Sequence, residues 1–367
     1  MNDEQAELHQ LRAKIDRIDR DILKAMSERA ECAQLVAKVK LRNRSVEDDV
    51  VFYRPEREAQ VLRDIMELNQ GPLSNEEVAR LFRELMSACL ALESPLKIAY
   101  LGPAGTFTHA ATLKHFGESV VAMPHQGIGD VFREVEAGST HYGVVPVETS
   151  NEGMINHTLD EFVNSPLSIC GEVQIRTHYH LLAPKGVDGN QVNELCSKDS
   201  AFASCRHWLD EHWPNVKRSV ATSYEAAATT ALVEGSRTAI VAGEVCAKLF
   251  GLQRLAGNIE NRPNQIARYL VIGKDRITTS GNDRTSVMVT IKDEPGALYR
   301  MLEPFYKHGL SLTRLDSRPA LSGEHRYHFF IDFTGHWDSA EIQAAINELS
   351  GVVLDVRLLG SYPLGVL

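Results

Sequence analysis

Leu8, Leu11, Ile15, Ile18 and Ile22 recur at spacings of three and four, the period of a helix that buries one seam. No Pro or Gly interrupts residues 1–54. The pattern predicts one helix over about residues 5–41, roughly 55 Å long at 1.5 Å per residue. A domain of this size cannot cover such a helix alone. An intertwined dimer is expected, each long helix packing on its partner. Two shorter helices should follow. One starts after Arg54-Pro55, with Pro at the helix start. The other starts after Gly71-Pro72-Leu73-Ser74-Asn75-Glu76-Glu77, a capped entry.

Beyond the linker Glu93-Ser94-Pro95 the period changes. Apolar runs at 97–101, 120–123, 142–147 and 169–176 alternate with helical patterns at 130–137 and 159–163. A second set follows Leu181-Leu182-Ala183-Pro184, ending in the apolar run 269–272. Two α/β lobes with a cleft between them is the economical architecture. Residues 284–362 then read strand, helix, strand, strand, helix, strand. The chain is therefore expected to be multi-domain. Residues 1–93 form an all-α domain, 96–274 a two-lobed α/β domain and 284–362 a βαββαβ module.

Composition changes this picture little. The 367 residues are 43% hydrophobic and 24% charged, which is ordinary for globular domains. A net charge of −10 argues against non-specific binding to nucleic acid or to an anionic membrane. The acidic start Met1-Asn2-Asp3-Glu4-Gln5-Ala6-Glu7 does not read as a signal peptide, so a secreted solute-binding protein is not expected. No apolar stretch approaches membrane-spanning length. Six scattered cysteines without a Cys-x-x-Cys pair read as reduced thiols in a cytoplasmic protein. No histidine or cysteine cluster has metal-ligand spacing, and no metal or organic cofactor is called for.

Candidate chemistry centres first on Gly143-Val144-Val145-Pro146-Val147-Glu148-Thr149-Ser150-Asn151-Glu152-Gly153. An apolar run ends abruptly in acidic and hydroxyl side chains, before Asn156-His157-Thr158-Leu159-Asp160 starts a helical pattern. That layout puts reactive groups at the carboxyl end of a strand in an open sheet. An ordinary capped loop gives the same pattern. Glu148 reads equally as a substrate-orienting group or as a cap. His157 reads as a cap or packed side chain, and Cys205 as core. Gly102-Pro103-Ala104-Gly105-Thr106-Phe107-Thr108 is a Gly-rich turn feeding a helix, which suits an anion. On the long helix, Arg29 and Lys40 lie eleven residues apart and share a face. Arg12 lies roughly 25 Å from Arg29 along the axis, so only an antiparallel partner could bring its Arg12 to the same ligand.

Leu11-Arg12-x-Lys14-Ile15-Asp16, Glu28-Arg29, Lys38-x-Lys40 and Arg57-Glu58 resemble, in order and placement, the all-helical chorismate mutase family. That family isomerises chorismate to prephenate in a pocket shared across a dimer. A pericyclic rearrangement transfers no proton. The protein must hold a folded dianion and stabilise charge on the ether oxygen. By the resemblance, the partner's Arg12, together with Arg29 and Arg57, would grip carboxylates. Lys40 would donate to the ether oxygen, and Glu58 would hold the hydroxyl. Many members have Gln facing that oxygen where this chain has Glu93. A carboxylate there repels the growing charge and a protonated acid can donate, so a mutase favoured below neutral pH is expected. The segment 43–52 is longer than the family minimum. It offers no clear counterpart to the residue that usually contacts substrate before Arg57.

Leu101-Gly102-Pro103-x-Gly105-Thr106-Phe107-Thr108, Val145-Pro146-Val147-Glu148-x-Ser150-x-x-Gly153, Thr158-Leu159-Asp160 and Leu249-Phe250-Gly251-Leu252 resemble prephenate dehydratase. The fold implied is two lobes similar to periplasmic binding proteins. Prephenate loses CO₂ and hydroxide and becomes aromatic, and the protein helps hydroxide leave by donating a hydrogen bond. The resemblance implies substrate contacts at Thr106, Thr108, Ser197 and Thr222. It implies catalytic roles at Glu148, Thr149, Ser150 and Arg268, with Arg268 binding a carboxylate. The family donates from a threonine in Thr-Arg-Phe, where this chain reads Ala267-Arg268-Tyr269. Its Glu-Asn-Ser is Glu148-Thr149-Ser150 here, and its Ser-His-x-Gln is Ser197-Lys198-Asp199-Ser200. A lost donor typically costs about 10²–10³ in rate. Either Thr149, Ser150 or His157 has taken over, or the lobe is silent or decarboxylates without dehydrating.

Gly296-Ala297-Leu298 and Asp316-Ser317-Arg318-Pro319 resemble the phenylalanine-sensing motifs of the ferredoxin-like ACT domain, with Asp for the usual Glu. The resemblance implies that backbone N–H groups near Gly296 take an amino-acid carboxylate and that Asp316 or nearby carbonyls take its ammonium. A fold-only dimerisation module is the other reading. The whole order is similar to the bifunctional chorismate mutase/prephenate dehydratase family of phenylalanine biosynthesis. It implies chorismate and prephenate as substrates, phenylalanine as allosteric ligand, and a homodimer or higher homo-oligomer.

Overall fold

A computed structural model describes residues 3–42, 53–149, 153–320 and 326–365. The helical region is α1 (Asp3–Arg42), α2 (Pro55–Leu68) and α3 (Asn75–Ala91). α2 opens on Pro at N1 or N2. At the start of α3, Ser74 Oγ accepts the Glu77 N–H at 3.2 Å. α2 packs on α3, and α1 meets α3 near its C-terminal end. The rest of α1 stands away from the chain. Its periodic seam is open, with Leu11 52%, Ile18 46% and Ile22 51% exposed.

The first lobe is built from β1 (Lys97–Leu101), α4 (Phe107–Phe116), β2 (Val121–His125), α5 (Ile128–Glu136), β3 (Tyr142–Thr149), β4 (Gly153–Met154), α6 (Asn156–Asn164) and β5 (Ser168–Arg176). The second lobe holds β6 (His180–Ala183), β7 (Glu194–Ser197), α7 (Asp199–His212), β8 (Lys217–Val220), α8 (Tyr224–Ala231), β9 (Thr238–Ala242), α9 (Glu244–Phe250) and β10 (Gln253–Ala256). The chain then returns as β11 (Ile266–Gly273) to the first lobe. There the strand order is β2-β1-β3-β11-β5 with β4 on β3, and β11 runs antiparallel to both its neighbours. The second sheet runs β10-β6-β9-β7-β8. The chain crosses between lobes twice, before β6 and before β11. Each lobe has its own core, around Leu181, Leu195 and Leu209 in the second and Val144, Val147 and Val271 in the first.

The last region is β12 (Asp283–Lys292), α10 (Ala297–Lys307), β13 (Leu312–Pro319), β14 (Arg326–Thr334), α11 (Ala340–Ser350) and β15 (Asp355–Pro363). Its antiparallel sheet runs β13-β14-β12-β15. One face carries α10 and α11 over Met301, Phe305 and Phe333. The other face puts Met288, Phe330, Leu359 and Tyr362 into one core with Phe162, Ile169 and Leu270 of the first lobe. A Cβ on Gly360 would sit 2.2 Å from the Ile169 carbonyl oxygen. Only glycine lets β15 approach β5 this closely. The module is therefore docked through shared apolar surface and does not hang on a tether.

Candidate active sites

A cavity of about 630 Å³ lies between the two lobes. The first lobe supplies Thr106, which caps α4 by accepting the His109 N–H at 3.3 Å. It also supplies Thr108, whose hydroxyl is hydrogen-bonded to the Tyr269 phenol. Thr149, at the end of β3, lies in register with Ala267 on β11, and both line the cavity. The second lobe supplies Lys198, immediately before α7, with its Nζ 5.6 Å from the centroid of the Tyr224 ring. Tyr224 and Tyr179 bring their hydroxyls to 3.5 Å. The return crossing adds Arg262 and Asn261, whose amide is held by α7 through the Ala203 carbonyl at 3.1 Å. Burial pushes the Tyr224 and Tyr269 phenols far above the ordinary tyrosine range. Among the described lining residues the charged groups are Lys198 and Arg262, and no carboxylate is present. A cavity with two cations and no acid complements a small dianion.

Several expected site residues stand elsewhere. Arg268 faces away from the cavity and is 7% exposed. Its Nε donates to Glu172 at 2.9 Å, Nη1 to Asp332 at 2.8 Å and Nη2 to the Tyr362 hydroxyl at 3.1 Å. Arg284 also pairs with Glu172, and Ser286 Oγ donates to Asp332 at 2.6 Å. Burial disfavours the Arg268 charge, but Tyr362, Asp332 and Glu172 outweigh it and raise its pKa. Arg268 thus joins β11 and β5 to the C-terminal sheet and does not grip substrate. The expectation failed because neighbours on a strand point to opposite faces: Ala267 and Tyr269 take the cavity side. Glu148, beside Thr149, is exposed and outside the cavity lining for the same reason. Ser197 is fully buried and donates to the Val241 carbonyl at 2.5 Å, a structural bond. Thr222 is exposed and outside the lining. His157 pairs with Glu161 at 3.3 Å on the surface of α6. Ser150 lies outside the described residues. Cys205 is fully buried, and burial pushes its thiol well up, as befits core.

At the helical end, Lys40 in the last turn of α1 lies within electrostatic reach of Glu93, just past α3. Burial lowers the Lys40 pKa, opposed by Glu93 and assisted by Arg54. Burial raises that of Glu93, opposed by Lys40. Each partner favours the other's charge, yet desolvation wins for both. Arg29 is half-buried, and Arg12 and Arg57 are exposed. Glu58 departs from its expected role. Its carboxylate accepts from Arg83 Nε at 3.1 Å in a seam that also holds Tyr53 and His115 of α4. Burial raises its pKa against the pull of Arg83. Glu58 therefore ties α2 to α3, and Arg83 in turn donates to the Lys114 carbonyl of α4 at 3.1 Å.

In the C-terminal module, Gly296 takes φ +79° at the start of α10, a conformation other residues rarely adopt. Ala297 is half-buried and Leu298 exposed beside it, as are Ser317 and Pro319 on β13. The Asp316 carboxylate accepts from Arg314 Nε at 2.6 Å. Arg318 forks onto Asp160 of α6 at 2.9 and 2.7 Å. Both face the first lobe. Lys198, Arg262, Asn261 and the three tyrosines are cavity residues that sequence reasoning did not single out. The one available signal was the departure of 197–200 from the family pattern.

Among the described residues no helix is long and apolar enough to cross a membrane, and no group of three or more His, Cys, Asp or Glu side chains forms a metal site. Residues 11–94 match the model of chorismate mutase type II, and residues 98–277 that of prephenate dehydratase. A bifunctional chorismate mutase/prephenate dehydratase of Stutzerimonas stutzeri is 49% identical over 98% of this chain and 99% of its own. The Pseudomonas aeruginosa protein of the same description is 48% identical over 99% of this chain and its full length. A solved prephenate dehydratase from Arthrobacter aurescens, in complex with L-Phe, superposes with a TM-score of 0.66 at 31% identity, over 73% of this chain and 90% of that one. The match runs unbroken from the helices through the cleft to the last sheet, so this chain belongs to the bifunctional chorismate mutase/prephenate dehydratase family.

Proposed function

We propose that the protein rearranges chorismate to prephenate in its helical domain and converts prephenate to phenylpyruvate in the two-lobed cleft. The observation that carries the second step is the cavity lining, which among the described residues has two cations and no carboxylate around a space sized for a small dianion. The open seam of α1 supports the first. It calls for a second copy laid antiparallel, which would bring that copy's Arg12 to Arg29, Lys40 and Arg57. These cations would fold the dianion into its reactive conformer, and Lys40 would meet the charge growing on the ether oxygen. The C-terminal module, with its ferredoxin-like strand order, fits an ACT-type sensor. Phenylalanine would bind by the Gly296 turn, and Arg318 on Asp160 gives a path to α6. The reading includes a cytoplasmic homo-oligomer.

Full-length protein given chorismate should release phenylpyruvate, and added phenylalanine should slow that release. Accumulated prephenate would mean a silent cleft. A non-aromatic keto acid would mean decarboxylation that keeps the hydroxyl, the reading that Ala267 in the cavity wall favours. Indifference to phenylalanine would remove the sensor.

Glu93 makes a separate prediction. Its raised pKa extends the protonated, hydrogen-bond-donating form toward neutral pH. Mutase rate should fall as pH rises through that pKa, and Glu93→Gln should flatten the profile. A wild-type rate constant between about pH 5 and 8 would rule this out.

A further inference from the structure

The geometry points to Lys198 as the group that gives a proton to the departing hydroxide in the cleft. This inference rests on the dehydratase reading above. The wall where the family keeps its donor holds Ala267, which carries no polar side-chain atom. Several of the other described cavity hydroxyls are engaged, and Ser200 at the start of α7 offers only a weakly acidic alcohol. Thr106 Oγ1 accepts the His109 N–H at 3.3 Å and reaches the Leu101 carbonyl at 3.4 Å. Thr108 is bonded to Tyr269. Ser204 Oγ donates to the Ser200 carbonyl at 2.9 Å. The Tyr224 and Tyr269 phenols are held neutral by burial and hold their protons tightly. Of the two cations, a guanidinium keeps its protons and an ammonium can release one.

Lys198 is the ammonium. It stands on the lobe opposite Ala267, half-buried, its Nζ 5.6 Å from the Tyr224 ring centroid. Among the described residues it makes no ion pair, so its donors are open to a ligand. Arg262, exposed on the return crossing, is left to hold a carboxylate by its fixed fork. In the step itself the ring carboxylate's C–C bond breaks and CO₂ leaves. That electron pair completes the aromatic ring and expels the C–OH oxygen. The oxygen takes a proton from the Lys198 ammonium and departs as water. Solvent returns the proton to the amine, so the only net input is one proton.

The test uses full-length protein supplied with prephenate directly. Lys198→Met should lower dehydratase kcat by about 10²–10³-fold, with mutase activity on chorismate as an internal control of folding. Lys198→Arg keeps the charge without a releasable proton. It should hold KM near wild type while kcat falls by about 10²-fold. Lys198→Met within about threefold of wild-type kcat would overturn the assignment. So would Lys198→Arg at wild-type kcat, because charge and not a proton would then be what matters. If wild type itself yields no phenylpyruvate, the dehydratase reading fails first and takes this one with it.

Discussion

Replacing Arg268 with alanine should lower the unfolding free energy by about 3–5 kcal/mol, the usual cost of breaking a buried ion pair from one side. The side chain closes a network in which Glu172 and Asp332 are nearly inaccessible to water. Without the guanidinium, Asp332 keeps Ser286 and the more distant Arg314 at 3.9 Å, and Glu172 keeps Arg284. These remaining partners put the expected loss at the lower end of that range. Arg268→Met combined with Asp332→Asn should recover part of it, because the orphaned charge goes too. Denaturant unfolding measures the loss. Prephenate KM should stay within about twofold in the folded protein, since Arg268 does not line the cavity. A loss below about 1 kcal/mol together with a much higher KM would return Arg268 to the substrate.

Chains carrying Arg12→Ala and chains carrying Lys40→Ala should each lose about 10²–10³-fold of mutase activity. Mixed after reversible dissociation, they should regain about a quarter of the wild-type rate. Random pairing makes half the dimers mixed. In each mixed dimer one pocket collects both lesions and the other collects none. The recovery depends on Arg12 coming from the partner. Along α1 it is seventeen residues from Arg29, roughly 25 Å at 1.5 Å per residue, and α1 does not bend back on itself. If Arg12 acted within its own chain, every pocket in the mixture would carry one lesion and the rate would stay at the level of the single variants. That result would end the shared-pocket account.

The helical domain was legible because its signals are local. Leu8 to Ile22 mark one face at helical period, and the observed α1, Asp3–Arg42, extends that pattern at both ends. Pro55 and Ser74 start α2 and α3 where helix-entry chemistry says they should. The exposed seam of α1 was also foreseeable, since a helix of this length outruns what its own domain can cover.

The cleft was legible in outline only. Thr106, Thr108 and Thr149 line it. Arg268, Glu148 and Ser197 do not, and the reason is common to the three. β11, β3 and β7 are buried on both faces for most of their length. Such strands show no apolar–polar alternation, so nothing local tells which residues point to the cavity. A bulge between Arg268 and Tyr269 shifts the β11–β3 register as well. Glu58 was misread for a related reason. Its partner Arg83 lies on another helix, and their seam exists only where α2 and α3 meet the first lobe.

By itself the sequence determined where helices and strands begin, that the long N-terminal helix carries an apolar seam its own chain leaves open, and that three unlike units follow one another. These properties depend on spacing over a few residues. The tertiary structure decided which side of each strand faces the cavity, that Arg268 holds domains together, and that Lys198 and Arg262 meet around one space between the lobes. Those facts depend on segments far apart in the chain being brought together by the two lobe crossings and by a core shared with the last sheet. Periodicity carries no information about such meetings, because they are set by what packs against each face.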